Sequence, residues 1–360
     1  MVLGSVVEGM TYPKYMYYSG KAYGFGYLPK ALIIEPEAWN DESSEWLAKL
    51  YGLTYERTLS PKGANEDKAW QDYLERIEGY LRAGSAVQTS RGWMGAREEK
   101  NGRIIAFKGT RVFWWEGMSK RVKPDMHYFA IVGLDKEAGE AIMNDPIFGW
   151  FGMPRETPAK LTFLRRAVRK VIPQHRYITI AFKRGANPAM SKERIEGLTR
   201  KRLRARVAGD DSVYDTKEMW AKFFNRPAKR GFTHGVKAIR AFRADLAPNM
   251  FGRLLAAKQK RTKIRPIDVV SWLNLNIYHQ AWMTMVSAEY LEKEGRLNEW
   301  EWSYKLALLF HELNIASTKL RAIFKAEPHL DKALAKSKAV LGQMDQALAR
   351  IEKHMISYLH

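Results

Sequence analysis

The chain contains no cysteine. That absence excludes disulfides, thiolate metal ligands and a thiol nucleophile in the sequence as it stands. Long apolar runs are missing too. Nowhere do about 18 uninterrupted apolar residues occur, the length a membrane helix needs, and the opening MVLGSVVEGM has no basic segment ahead of an apolar one. The expectation is a cytoplasmic protein without membrane insertion. Histidine is sparse, eight residues in 360, with no HExxH pattern, no paired metal-ligand spacing and no calcium-type Asp/Asn loop. Neither a metal nor a cofactor is therefore expected.

What is present is enough apolar material, 46% of 360 residues, for two separate cores. Charge divides the chain unevenly. Residues 1–150 carry 19 Lys/Arg against 20 Asp/Glu, whereas residues 151–360 carry 41 against 19 and so own the whole net charge of +21. The densest runs are Arg200, Lys201, Arg202, Arg204 and Arg206, then Lys258, Lys260, Arg261, Lys263 and Arg265. A field of this sign attracts nucleic acid, an anionic surface or an acidic carrier protein. Each run also reads as an ordinary solvated face.

Periodicity separates two textures. Val6 to Tyr18 reads as a buried helix that Pro13 kinks or restarts, Ala31–Ile34 as a strand, and Trp46–Tyr51 and Trp70–Arg82 as helices. Strand patterns then follow at Ala86–Thr89, Ile104–Phe107, Val112–Trp115, His127–Gly133, Ala141–Met143 and Tyr177–Phe182, separated by turn residues. Arg184-Gly185-Ala186-Asn187-Pro188 is the best linker. Beyond it, Gly235–Leu246, Ile267–Leu291, Asn298–Phe324 and Leu330–Leu359 carry apolar residues at i, i+3, i+4 and i+7. The expected architecture is α+β: helices packed on an antiparallel sheet in residues 1–185, followed by a basic all-α bundle in residues 190–360.

Acyl transfer needs a nucleophile, an imidazole base, a group that orients the imidazole, and oxyanion donors. His127 opens an apolar strand and Asp145 follows a second one, so two adjacent antiparallel strands would present both at one edge. Trp114, Trp115, Trp150 and Phe151 read either as an acyl pocket or as core. Tyr23, Phe25 and Tyr27 alternate with glycine or small residues, as a loop over a site or as core packing. His234 and His311 fall on helices and read as structural or surface residues.

The strings Tyr80-Leu-Arg-Ala-Gly84-Ser-Ala-Val87, His127-Tyr-Phe-Ala-Ile-Val-Gly133 and Ile142-Met-Asn-Asp145-Pro146 resemble the core of papain-like enzymes related to bacteriocin-processing peptidases. With His234-Gly-Val-Lys-Ala238-Ile-Arg-Ala-Phe-Arg-Ala-Asp-Leu246 and the segment from Ala281 to Arg296, the chain is similar to the butirosin-biosynthesis acyltransferase family. Members of that family join a papain-like domain to a helical one and move an acyl group from a carrier-protein thioester to an amine. The resemblance implies His127 as general base, Asp145 as its orienting carboxylate, and Ser5 at the position of the family's cysteine. Three readings of Ser5 stand: a serine nucleophile, a replacement for a natural cysteine, or lost catalysis. A helix starting near Ser5 would offer oxyanion-binding N–H groups, with Glu8 as a first-turn acid complementing the dipole or as a pocket residue, and Gln88, at its strand end, as an oxyanion donor.

Two functions follow. One is an acyltransferase or amide hydrolase that forms an acyl-enzyme at position 5, takes an acyl thioester from an acidic carrier protein and passes it to an amine or water. The other is a non-catalytic scaffold whose basic helical part grips nucleic acid or another polyanion, with Trp220, Phe223, Phe224 and Phe232 interleaved for base stacking.

Overall fold

A computed structural model of the chain describes residues 2–35, 42–59, 65–92, 97–100, 103–107, 126–144, 156–169, 176–210, 213, 231–262 and 264–360. In chain order the elements are α1 (Tyr12–Ser19), β1 (Gly26–Leu28), β2 (Ile33–Glu35), α2 (Glu42–Leu50), β3 (Leu53–Thr58), α3 (Glu66–Arg82), β4 (Val87–Gly92), β5 (Arg97–Lys100), β6 (Arg103–Phe107), β7 (Met126–Asp135), β8 (Glu140–Asn144), β9 (Glu156–Lys160), α4 (Leu161–Arg169), β10 (Thr179–Arg184), α5 (Lys192–Ala208), β11 (Thr233–His234), α6 (Gly235–Leu246), α7 (Pro248–Thr262), α8 (Pro266–Lys293), α9 (Leu297–Ala326) and α10 (Leu330–Ser357). Strand content precedes helix content. The chain is α+β, as its patterning predicts.

The elements sort into two compact units. One is built from described residues of 2–11 and 48–190, the other from those of 12–47 and 191–360. Contacts divide the chain after residues 11, 47 and 190. They also assign residues 12–47 to the helical unit, which no linker composition signals.

In the first unit the strands run in the order β3-β10-β4-β7-β8-β9-β6-β5, antiparallel throughout except for the parallel pair β6 and β9. One face carries Val87, Phe129, Ile131, Ala141, Met143 and Ala159 into a core closed by Trp70, Tyr73, Ile77 and Tyr80 of α3 and Phe163, Leu164, Ala167 and Val168 of α4. Burying each large side chain stabilises the unit by about 1.5–3 kcal/mol. Asn65 starts α3 by accepting the N–H groups of Asp67 and Lys68, and acidic Glu66 and Asp67 fill its first turn. β7 and β8 are adjacent antiparallel strands, as expected.

The second unit is not purely helical: β11, β1 and β2 form a three-stranded antiparallel sheet whose last-encoded strand pairs Gly26 with His234. The extended Val6–Tyr18 helix is also shorter than expected. It begins at Tyr12, because Pro13 is tolerated only in a first turn. Tyr23, Phe25 and Tyr27 are buried core residues. Tyr23 donates to or accepts from Ser287 and Ser303 at 2.7 and 2.9 Å, and Gln280 and Thr284 both donate to the Ala22 carbonyl at 2.8 Å. Arg265 and Asp268 form the cap that starts α8 at Pro266, and left-handed Gly295 turns the chain into α9. Leu273, Ile277, Leu306, Leu313, Leu341 and Leu348 fill the core between α8, α9 and α10.

α5 ends at Gly209 (φ +74°), which meets Gly235 (φ +56°) at the start of α6. A Cβ on Gly235 would stand 2.4 Å from the Arg206 and Val207 carbonyls, and one on Gly209 2.1 Å from the His234 carbonyl. Gly235→Ala is therefore expected to lose about 3 kcal/mol or more. Gly79→Ala, in the interior of α3 with nothing within 4 Å of the new methyl, should gain about 0.5–1 kcal/mol. Urea unfolding of the two variants measures both signs.

Candidate functional site

Ser5 closes a single 3-10 turn, Leu3–Ser5, and no α-helix starts there. The expected helix terminus for an oxyanion is thus replaced by a short turn, and Glu8 is an exposed turn residue outside the first turn of any helix. The Ser5 hydroxyl is engaged on both sides. It donates to the Val2 carbonyl at 2.7 Å and accepts the Ala86 N–H at 2.9 Å. Its proton points at a backbone acceptor rather than a base, so the residue pins the amino-terminal turn to the entry of β4.

Ala86 immediately precedes β4, whereas His127, at the start of β7, is the register partner of Arg91 near the far end of that strand. Five residues of extended chain separate Ala86 from Arg91, about 16 Å at ~3.3 Å per residue. A serine and a histidine each reach only a few ångströms from their Cα atoms. The structure does not bring Ser5 and His127 together. Gln88 does lie at the Ser5 end, but as the second residue of a central strand, half-buried and paired with Ala130 and Ile180, instead of at a strand end. Asp145, Trp114, Trp115, Trp150 and Phe151 lie outside the described residues. Asn144, the last described residue before Asp145, pairs with Ala130.

Comparison with protein-family models and with curated proteins gives no match.

The basic runs resolve into inward and outward members. On α5 the buried face is Ile195, Thr199, Arg202, Leu203, Arg206 and Val207, so two of the five cations of the first run point inward. Arg202 donates to the Ser19 carbonyl at 3.4 Å and lies over the Trp46 ring at 4.7 Å, while Arg206 donates to Ser43 Oγ at 3.0 Å. Arg200 bridges Glu299 at 3.1 Å. Lys201 and Arg204 remain exposed, as does Lys237 of α6, whose side chain lies beside Gly209. Among the described residues no ion pair holds these three. On α7, which has no acidic residue, Arg253, Lys260 and Arg261 are exposed. Lys263 and the aromatic residues Trp220, Phe223 and Phe224 lie outside the described residues, and Phe232 is buried rather than available for stacking.

Sequence reading missed one charged cluster. The β1–β2 turn holds Lys30 and Leu32 in left-handed backbone (φ 59° and 52°), uncommon for residues with a Cβ. Asp245 of α6, buried, accepts the Lys30 N–H at 2.6 Å and the Tyr27 hydroxyl at 2.8 Å, and Lys258 of α7 donates to the Ala31 carbonyl at 2.8 Å. The available signal was Asp245 itself, the one acid of its helix, in phase with the apolar Ala238 and Phe242. Burial pushes the Lys258 ammonium down to about 8, and the nearby Arg261 charge adds to the fall.

Two outcomes follow. Ser5→Ala removes both hydrogen bonds and should cost about 1–2 kcal/mol in urea unfolding. For Lys258, both folded and unfolded chains hold the proton below pH 8. Between about 8 and the unfolded value of ~10.4 only the unfolded chain holds it, so stability from this group rises with pH in that window. The melting-temperature difference between Lys258→Met and the parent protein should accordingly shift in the parent's favour from pH 8 to pH 10.

Proposed function

We propose that this chain binds a polyanion, nucleic acid being the class to test first, through the exposed cations of its helical unit, with Ser5 serving structure and not acyl transfer. One observation carries the reading: Lys201 and Arg204 on α5 and Lys237 on α6 are exposed without a described carboxylate partner, while the neighbours Arg200, Arg202 and Arg206 are used internally. Phosphates spaced along a strand release counterions on meeting such cations, which makes binding strong at low salt and steeply salt-dependent. The α7 cations Arg253, Lys260 and Arg261 extend the same chemistry on a helix that carries no opposing charge. The commitment of the Ser5 hydroxyl to Val2 and Ala86, and its separation from His127, supports a role for the chain that does not pass through an acyl-enzyme at position 5.

The test is fluorescence anisotropy with a single-stranded oligonucleotide across a series of salt concentrations. Replacing Lys201, Arg204 and Lys237 together by alanine should weaken binding at every salt concentration and flatten the log–log salt slope by about 2, at ~0.7 per cation. Ser5→Ala should leave the slope unchanged. Absence of binding at low salt, or a slope indifferent to the triple variant, would sink the reading.

A further inference from the structure

α8 and α9 form an antiparallel helical hairpin, and the Asn274 amide bonded to the Asn314 side-chain carbonyl at 3.2 Å fixes how they lie side by side. One and two turns further along α8 from Asn274 come Tyr278 and Trp282. In an antiparallel pair these stand beside the turns of α9 that carry His311, Leu308 and Tyr304. Tyr278, Trp282, Tyr304, Leu308 and Ile315 are each between 39% and 45% exposed, although buried leucines and isoleucines fill the opposite faces of the same helices. Tyr12 stacks on Trp282 with ring centroids 5.4 Å apart and extends the patch. At ~150–250 Å² per aromatic side chain, the exposed apolar part amounts to about 450 Å². That is as large as the largest patch a typical monomer shows, and with a polar rim it approaches the ~800 Å² per partner of a standard interface.

The order of residues along α9 selects the occupant. Tyr304, Leu308, His311 and Ile315 form one stripe at helical spacing, with exposed Glu301 beyond its amino end and exposed Lys319 beyond its carboxyl end. Two copies of α9 laid antiparallel across the middle of this stripe set Tyr304 against Ile315 and Leu308 against His311, and bring each Glu301 opposite a Lys319. The stripe is therefore complementary to itself in both apolar contact and charge, the requirement of a two-fold interface. We propose that this face is the contact between two copies of the chain, which associate through α8 and α9 as an antiparallel four-helix arrangement. The residues of this face are not those invoked for polyanion binding, and neither proposal depends on the other.

Sedimentation velocity on the full chain over a wide concentration range tests it. The expected result is a concentration-dependent dimer, with Leu308→Glu and Trp282→Glu each raising the dissociation constant about thirtyfold or more. Circular dichroism melting of Leu308→Glu, read at concentrations where the parent is monomeric, should match the parent, since that side chain is already partly in water. Glu301→Lys alone and Lys319→Glu alone should each weaken association, and the double variant Glu301→Lys/Lys319→Glu should restore it. A chain that stays monomeric at every concentration, or a dimer that Leu308→Glu leaves intact, overturns the proposal. Failure of the double variant to restore association overturns the antiparallel pairing.

Discussion

The second unit depends on a short polar ladder at its centre. The Ala22 carbonyl receives Gln280 and Thr284, and the Tyr23 hydroxyl sits between Ser287 and Ser303, all of these groups being buried. Each bond is worth about 1 kcal/mol net, but each group left unpaired in this interior would cost about 1–3 kcal/mol. The ladder consequently fixes both the height and the rotation of residues 20–24 against α8 and α9. Everything attached to that segment inherits the placement: the β1 strand that pairs with β11, the left-handed turn held by Asp245 and Lys258, and through β11 the contact of Gly235 with the end of α5.

Long helices were legible because burial alone decides their pattern. Gly235–Leu246 matches its expected bounds, and α8, α9 and α10 differ from theirs by a few residues at their ends. α5 was not legible as an amphipathic helix. Its inward face carries Arg202 and Arg206 where periodicity looks for apolar residues, so a buried stripe and a basic run became indistinguishable. β3 and β9 escaped for a related reason. LTYERT and ETPAK alternate too weakly to announce strands, and pairing with neighbours supplies what the local sequence does not. The association of residues 12–47 with the helical unit was invisible because it rests on contacts between residues more than 160 positions apart.

The candidate site divides similarly. Adjacency of β7 and β8 could be inferred from two strands flanking a tight turn, whereas the end of β4 at which residue 5 would sit could not. Hydrogen bonds of a serine hydroxyl to main-chain groups leave no trace in composition. Net charge likewise overstated the positive surface, since it counts a guanidinium packed on Trp46 and one bonded to Ser43 together with those facing water. What remains outward is a smaller, better defined set of cations.

The ladder that joins Tyr23 to Ser287 and Ser303 also imposes a schedule on synthesis. Ribosomes add about 5–20 residues per second, so the α1–β2 segment waits roughly 15–50 s for the helices that will enclose it. During that interval its cluster of tyrosines, Tyr15, Tyr17, Tyr18, Tyr23 and Tyr27, has no bundle to enter. The sheet unit encoded in between is complete well before then. A nascent chain of this protein therefore carries an aromatic segment with no core to enter until α8 and α9 have been added, the kind of intermediate on which a holding chaperone acts.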